Sequence, residues 1–391
     1  MTPVSRDQHI PFNRPCEVGT EQVYIAEAIA RGELAAGGAF TERCCGWLEN
    51  EIGCARALLV HSATAALELA ALLLEIAPGD EVVMPSFTFV STANAFVLRG
   101  GVPVFVDVRP DTLNLDETLV EEAISDRTKA VVPVHYAGVP CEMDAISAAA
   151  ARHDVAVVED AAQALGSTYR GEAAGSLGQL AALSFHETKN VTSAEGGALL
   201  VNDARLVDRA EVLRDKGTNR GRFSRGEVDK YSWVDVGSSY GLSELNAAFL
   251  WAQLEAAEAL NRERLRTWWL YHDALEPLEY EGLLRRPVVP ESVTQNAHMY
   301  YVLFNSLEQR TEVLRALLQR DINAVFHYVP LHSSPAGRRY GRVHGCMPNT
   351  DAAGERLLRL PLWNGITESQ ALRVVDCVAA AVQPRVRAMP I

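Results

Sequence analysis

Three short stretches of the 391-residue chain carry the residue types that chemistry on a carbonyl needs. The apolar run VAVVED (155–160) ends in Asp160, with Ala161, Ala162 and Gln163 beyond it, so a carboxylate and an amide stand at the mouth of a strand. A carboxylate in apolar surroundings needs a cationic partner, or else it serves as the N-cap of the next helix. The run LAALSF (180–185) is followed by His186, Glu187, Thr188, Lys189 and Asn190, and then by a Gly-Gly turn. A lysine so placed is either a surface residue of the turn or an amine desolvated enough to titrate near neutrality and attack a carbonyl. Of the 36 Lys and Arg residues only four are lysine (Lys129, Lys189, Lys216 and Lys230), so an amine has few places to act. The third stretch, His61-Ser62-Ala63-Thr64-Ala65, sets small and hydroxyl residues at the start of a helix. These are ordinary caps or, with the free N–H groups and the helix dipole, an anion site.

Jointly, the three stretches describe one ligand: a phosphate on a helix N-terminus, a ring nitrogen kept protonated by a carboxylate, and an aldehyde held by a lysine. That ligand is pyridoxal 5′-phosphate (PLP), whose pyridinium is an electron sink. The chain contains neither GxGxxG nor GxxxxGK[ST], so a dinucleotide or a nucleoside triphosphate lacks its usual fingerprint.

The elements that must position these residues read as a parallel sheet covered by helices. Short β-branched runs, ALLV (57–60), EVVMP (81–85), VPVFVDV (102–108), AVVPVHY (130–136), VAVVED, LAALSF and GALLVN (197–202), alternate with segments of helical period such as AALELAALLLEI and LDETLVEEAISD. They predict a large doubly wound α/β unit with a seven-stranded, mostly parallel sheet, in which ligands sit beyond the carboxyl ends of the strands. The segment 216–240 is polar, Gly-rich and aperiodic, a functional loop by its length. A long helix is expected over Leu242–Leu275. An α+β pattern follows, with MYYVLF (299–304), a helix through EQRTEVLRALLQR, NAVFHYV (323–329) and a last helix over Glu368–Ala381. The division predicted is 1–255 for the large domain with its N-terminal segment and 256–391 for a smaller C-terminal domain.

Composition narrows the class. A net charge of −14 with no basic cluster argues against a nucleic-acid partner. Seven cysteines without a CxxC pair suggest neither a disulfide framework nor a zinc site, and point to a reducing compartment. No apolar run is long enough to span a membrane, and the N-terminus lacks an apolar signal core, so a cytoplasmic location is expected.

The set SATAALELAALLL, PSFTFVSTANAF, PVFVDV, VEDAAQ, SFHETKNVTSAEGG and SELNAAFLWAQL, in this order over nearly the whole chain, strongly resembles the DegT/StrS-type nucleotide-sugar aminotransferases. The resemblance implies fold type I, the aspartate-aminotransferase-like architecture of PLP enzymes. It also implies that Lys189 forms the Schiff base with the cofactor and then shuttles protons as general acid/base. Asp160 would pair with the pyridine nitrogen, Gln163 would sit near the phenolic oxygen, Phe89 would stack on the ring, and Ala63, Thr64 and Ser184 would hold the phosphate.

Many relatives carry a Gly-x-Asn-x-Arg-type segment whose asparagine reaches the phosphate of a neighbouring subunit. Here the segment reads Gly237-Ser238-Ser239-Tyr240-Gly241, in which Ser239 can donate one hydrogen bond in the asparagine's place. The turn reads Ala194-Glu195-Gly196-Gly197 where relatives commonly have glycine for Ala194; at positive φ an alanine is strained. The segments GTNRGRFSRGEVDKYSWVDVGSSY, QNAHMYY and FHYVPLH resemble members that aminate C4 of dTDP-4-keto-6-deoxy-D-glucose with L-glutamate as donor. On that likeness Arg220, Arg222 and Arg225 would grip the diphosphate, while His327, Tyr328 and His332 would face the sugar; an ordinary solvated loop and satisfied core histidines are the competing accounts. A homodimer with its active site at the subunit interface is implied as well. Other readings are a different nucleotide-linked keto sugar, a dehydratase of the same fold, a non-catalytic regulator, and a nicotinamide oxidoreductase. Lys189 speaks against the dehydratase, whose relatives carry histidine there. Retention of Lys189, Asp160 and Gln163 together speaks against the regulator.

Overall fold

The computed structural model describes residues 9–383, so residues 1–8 and 384–391 of the two expected domains lie outside the described residues. All seven expected runs form strands of one sheet. Side by side they lie as Arg56–Val60, Gly197–Val201, Leu180–Ser184, Ala156–Asp160, Thr128–Val131, Glu81–Pro85 and Val102–Val106, and an eighth strand, Arg342–Val343, joins the far edge. The sheet therefore has eight strands where seven were expected, because the C-terminal half returns to pair Arg342 and Val343 with Val104 and Phe105. Only Gly197–Val201 runs antiparallel to its neighbours.

Both faces of the sheet are apolar because successive side chains point to opposite sides. Leu58, Val60, Leu180, Ala182, Leu199 and Val201 pack beneath the helix Ala63–Leu73. Their neighbours Ala57, Leu59, Ala181, Leu183, Ala198 and Leu200 pack against the helices Ala39–Ile52 and Glu244–Glu255. The run AVVPVHY stops being a strand at Val131, since Pro133 has no N–H to give the ladder.

A second core gathers Trp268, Tyr271, Leu275, Tyr300, Val302, Val313, Leu317, Leu358, Leu360, Val374 and Val378 around the three-stranded sheet Leu284–Arg285, Tyr300–Phe304, Leu357–Leu360. Ile10 joins this core and bridges to Ile322, so the N-terminal segment packs on the C-terminal unit. The helix expected over Leu242–Leu275 is two helices, Glu244–Glu255 and Ala257–Tyr280, meeting at Ala256. The first serves the core of the large sheet and the second serves the smaller core, and the chain turns where its apolar partners change. NAVFHYV makes only the single bridge Val325 to Arg359. Consecutive residues His327 and Tyr328 both face one cavity, which strand alternation forbids.

Candidate active site

A cavity of about 370 Å³ opens beyond the carboxyl ends of the parallel strands, within the range of roughly 300–1,000 Å³ typical of small-molecule sites. Ser62, Ala63 and Thr64 come from the turn after the first strand; Thr88, Phe89, Ser91 and Thr92 from the turn after Glu81–Pro85. Asp160, Ala162 and Gln163 follow a third strand, and Ser184 and Lys189 come from the end of Leu180–Ser184 and the turn beyond it. The C-terminal unit closes the cavity with Arg264, His298, His327, Tyr328 and Arg359.

Asp160 is buried, 6% exposed, and its carboxylate is held from two sides. Thr92 Oγ1 donates to Oδ2 at 2.7 Å and the Ala162 N–H donates to Oδ1 at 3.2 Å. Thr92 in turn sits 2.8 Å from Thr88 Oγ1, which fixes the hydroxyl that fixes the acid. The neighbouring Glu159 is wholly buried but fully used: it accepts from the N–H groups of Gly175, Leu177 and Gly178 at 2.7 Å and lies 2.8 Å from His135 Nε2. Glu159 anchors the strand end and leaves Asp160 as the carboxylate facing the ligand space. Gln163 accepts from the Ala137 N–H at 2.7 Å and donates to the Tyr328 hydroxyl at 3.1 Å, so its second amide hydrogen is uncommitted.

Lys189 is half-buried, and removal of its amine from water pulls its pKa down from 10.5 to about 8, with Asp160 opposing the shift and Arg359 adding to it. At pH 7.5 roughly a quarter of such an amine is neutral, against about one in a thousand for an ordinary lysine. The turn beyond it holds Ala194 at φ 67°, the left-handed conformation in which alanine is strained. Gly197 has a clear reason to be glycine: a Cβ there would stand 2.5 Å from the Ala63 nitrogen, because this strand begins hard against the helix N-terminus.

That N-terminus has the makings of a phosphate cradle. Ser62 caps the helix by accepting from the Ala65 N–H at 3.1 Å. The amides of Ala63 and Thr64 are among the four that a helix leaves without partners. Thr64 Oγ1 lies 2.7 Å from Ser91 Oγ, and both line the cavity with Ser184. Phe89 also lines it and is 59% exposed, which leaves a ring face free for stacking. PLP fits these residues: hydroxyls and amides at one end for the phosphate, Asp160 for the ring nitrogen, and the lysine amine for the aldehyde.

Of the substrate candidates, His327 and Tyr328 line the cavity, their rings stacked at 4.0 Å. Burial, with help from Arg359 and Lys189, pushes the His327 pKa down to about 2, so the ring is neutral. His332 lies outside the cavity, between Ser86 Oγ at 2.8 Å and Asp351 at 3.4 Å, where it pins a loop to the large sheet. Arg220, Arg222, Arg225 and Ser239 do not line this cavity. Arg222 pairs with Glu227, Arg225 with Glu227 and Glu211, and Ser239 forms a bridge with Asp215.

The sequence reading missed Thr92, Arg264, His298 and Arg359. Arg359 had a visible signal, a cation inside the apolar run LLRLPL. Arg264, within the helix Ala257–Tyr280, looked like any charge on a polar helix face. Yet it is 3% exposed and donates to the carbonyl oxygens of Ala297 and His298 at 3.1 and 2.7 Å. His298 is buried 3.0 Å from Asn190 Oδ1, and burial beside Lys189 and Arg264 holds it neutral.

All seven cysteines are free. Among the described residues no His/Cys/Asp/Glu group could hold a metal ion, and no helix is long and apolar enough to cross a membrane.

Residues 15–379 match the model of the DegT/DnrJ/EryC1/StrS aminotransferase family. An uncharacterized protein of Methanocaldococcus jannaschii is 33% identical over 384 residues, 96% of this chain and 98% of that one. DesV of S. venezuelae, solved in complex with a ketimine intermediate, is 32% identical with a TM-score of 0.86, covering 96% of this chain and 99% of that one. The PLP-form of Spr1654 from Streptococcus pneumoniae, provisionally named a sugar aminotransferase, is 26% identical with a TM-score of 0.87, covering 96% and 98%.

Proposed function

Because the chain belongs to the DegT/DnrJ/EryC1/StrS aminotransferase family and has pyridoxal 5′-phosphate as its cofactor, we propose that it moves the amino group of L-glutamate to C4 of dTDP-4-keto-6-deoxy-D-glucose. The products are 2-oxoglutarate and a dTDP-4-amino-4,6-dideoxyhexose. The observation that carries the reading is the pairing of Lys189 and Asp160 in one cavity, an amine made acidic by burial and a carboxylate locked by Thr92. The choice of sugar is supported by the likeness of segments 217–240, 295–301 and 326–332 to relatives that use it.

The bound cofactor supplies a protonated ring that spreads the electrons released when a C–H bond next to nitrogen breaks. Asp160 holds the proton on the ring nitrogen, since an ionised carboxylate favours the cationic partner. Lys189, neutral in part at physiological pH, takes the proton from the donor's α-carbon and delivers it on the other side of the exchange; on the acceptor it runs the same transfer backwards. Gln163, with one free amide hydrogen, holds the phenolic oxygen, while Ser62, Thr64, Ser91 and Ser184 fix the phosphate and hence the ring's orientation.

A second copy of the chain completes the site in this reading. The loop 217–240 supports it: its arginines stand outside the chain's own cavity, and its Trp233 is 81% exposed. Incubation of holoenzyme with L-glutamate and the dTDP-4-keto sugar tests the whole reading. It predicts 2-oxoglutarate in step with a C4 amine, whose axial or equatorial placement follows from proton couplings in the NMR spectrum. Turnover of a different nucleotide-linked keto sugar in preference to this one would move the assignment to that substrate.

A further inference from the structure

A buried histidine stands beside Lys189. His298 lines the main cavity with it, and the two also share a smaller void of about 10 Å³, no larger than one water, with Gln163, Ser184, Asn190 and Asn296. Three asparagines decide which nitrogen of this histidine carries the proton. Asn261 Nδ2 donates to the Leu165 carbonyl at 3.2 Å, and Asn296 Nδ2 donates to the carbonyls of Gln163 and Leu165 at 2.8 and 3.0 Å. Their side-chain oxygens therefore accept, Asn261 Oδ1 from Asn190 Nδ2 at 2.8 Å and Asn296 Oδ1 from the His298 backbone N–H at 3.0 Å. Asn190 Nδ2 gives its other hydrogen to the Asn296 carbonyl at 2.7 Å. With both amide hydrogens of Asn190 placed, the atom 3.0 Å from His298 Nδ1 is its oxygen, which only accepts. The imidazole proton thus sits on Nδ1, and among the described residues Nε2 is a bare lone pair with no protein partner. The ring stays neutral because burial, with Lys189, Arg264, Arg359 and His327 adding to it, holds its pKa well below the usual histidine range.

We infer that His298 is a positioning residue for Lys189: its Nε2 accepts an N–H of the lysine amine whenever that amine is free of the cofactor, and so turns the amine's own lone pair toward the reacting carbon. The inference rests on the transaminase reading above. A free neutral amine has two N–H donors to place, and in that reading the cavity's other acceptors are engaged. Asp160 faces the ring nitrogen and Ser184 the phosphate, the Tyr328 hydroxyl takes an amide hydrogen from Gln163 at 3.1 Å, and the Glu195 side chain is 70% exposed. A carboxylate in the place of His298 would hold the amine as an ammonium, unable to take a proton. A neutral imidazole restrains the amine without that effect, and no proton passes to His298. Asn190 follows Lys189 directly in the chain, so the amine and its acceptor are built on one hydrogen-bonded frame.

Two measurements test this. Nuclear magnetic resonance of holoenzyme carrying isotope-labelled histidine reads which ring nitrogen is protonated, the His298 signal being assigned by its loss in H298Q. The proton is expected on Nδ1, and a proton on Nε2 overturns the inference. Turnover of L-glutamate and of its α-deuterated form is then compared in wild type, H298F and H298Q. H298F loses about 10- to 100-fold in kcat, the scale of a misplaced reacting group, while KM for glutamate changes by less than about threefold. Its isotope effect grows as proton transfer becomes the slow step. H298Q, whose amide oxygen reaches the place of Nε2, recovers most of the loss. Turnover by H298F as fast as wild type, a loss carried by KM alone, or one that H298Q does not repair would each overturn the inference and leave the transaminase standing. Should H298F fail to fold, the tautomer and the kcat of H298A decide in its stead. A wild-type holoenzyme inert to glutamate overturns the transaminase reading and this one together.

Discussion

Replacement of Lys189 by methionine should make the cofactor-free protein more stable, although it destroys the enzyme. The amine is drawn from 10.5 to about 8 mainly by burial, so at neutral pH the folded chain carries an ammonium it would rather not hold. Taken at face value the shift corresponds to about 3 kcal/mol. Because the side chain is half-buried, solvent screens part of this, leaving about 1–2 kcal/mol. With an unfolding entropy near 2.1 cal/mol/K per residue, a chain of this length gains roughly 2 °C in Tm. The pH dependence is the sharper part. Between about pH 8 and 10.4 the unfolded lysine binds a proton that the folded one has lost, so wild-type stability rises through that window. The variant lacks this rise, and its advantage is therefore full below pH 8 and gone by about pH 10.5. Thermal unfolding of both cofactor-free proteins at a series of pH values reads the effect, and shared titrations cancel in the difference. A variant no more stable than wild type at pH 7, or a gap that persists unchanged to pH 10.5, would refute the desolvated-amine reasoning.

Two further outcomes follow from the same geometry. Asp160→Asn keeps an oxygen to accept from Thr92 but cannot hold the ring nitrogen protonated, so kcat should fall by about 10²–10³-fold, the cost of losing one preorganised electrostatic partner; near-normal turnover in a folded variant contradicts the role. Ala194→Gly relieves a left-handed alanine at a cost of about 1–2 kcal/mol while adding about 0.5–1 kcal/mol of chain entropy to the unfolded state, a net gain of roughly 0.5 kcal/mol. Urea midpoints measure this, and a loss of stability would show that the turn does not hold residue 194 at positive φ.

Much of the large unit was legible because its chemistry follows its strands. Each apolar run ends where the next residue must leave the sheet, so Asp160, Gln163, Lys189 and Ser62 could be placed at strand mouths from pattern alone. The sheet's eighth strand was not legible, since Arg342–Val343 is two residues long and pairs across more than two hundred positions. The arginines behind the lysine escaped for a related reason. Arg264 looks like one more charge on a helix, and only the packing of the C-terminal unit against the strand ends turns it inward. NAVFHYV has the β-branched and aromatic content of a strand, but the cavity takes two consecutive side chains from it. His332 carried the same signal as His327, yet tertiary contacts with Ser86 and Asp351 settle it outside the cavity.

The central claim is that the amine of Lys189, among four lysines, carries the cofactor. Borohydride reduction of the holoenzyme fixes that link irreversibly, and mass spectrometry of the digest locates it. The account predicts loss of the yellow band together with the phosphopyridoxyl mass on the peptide containing Lys189 and on no other. The same mass on the peptide of Lys129, Lys216 or Lys230, or on none of them, would contradict it.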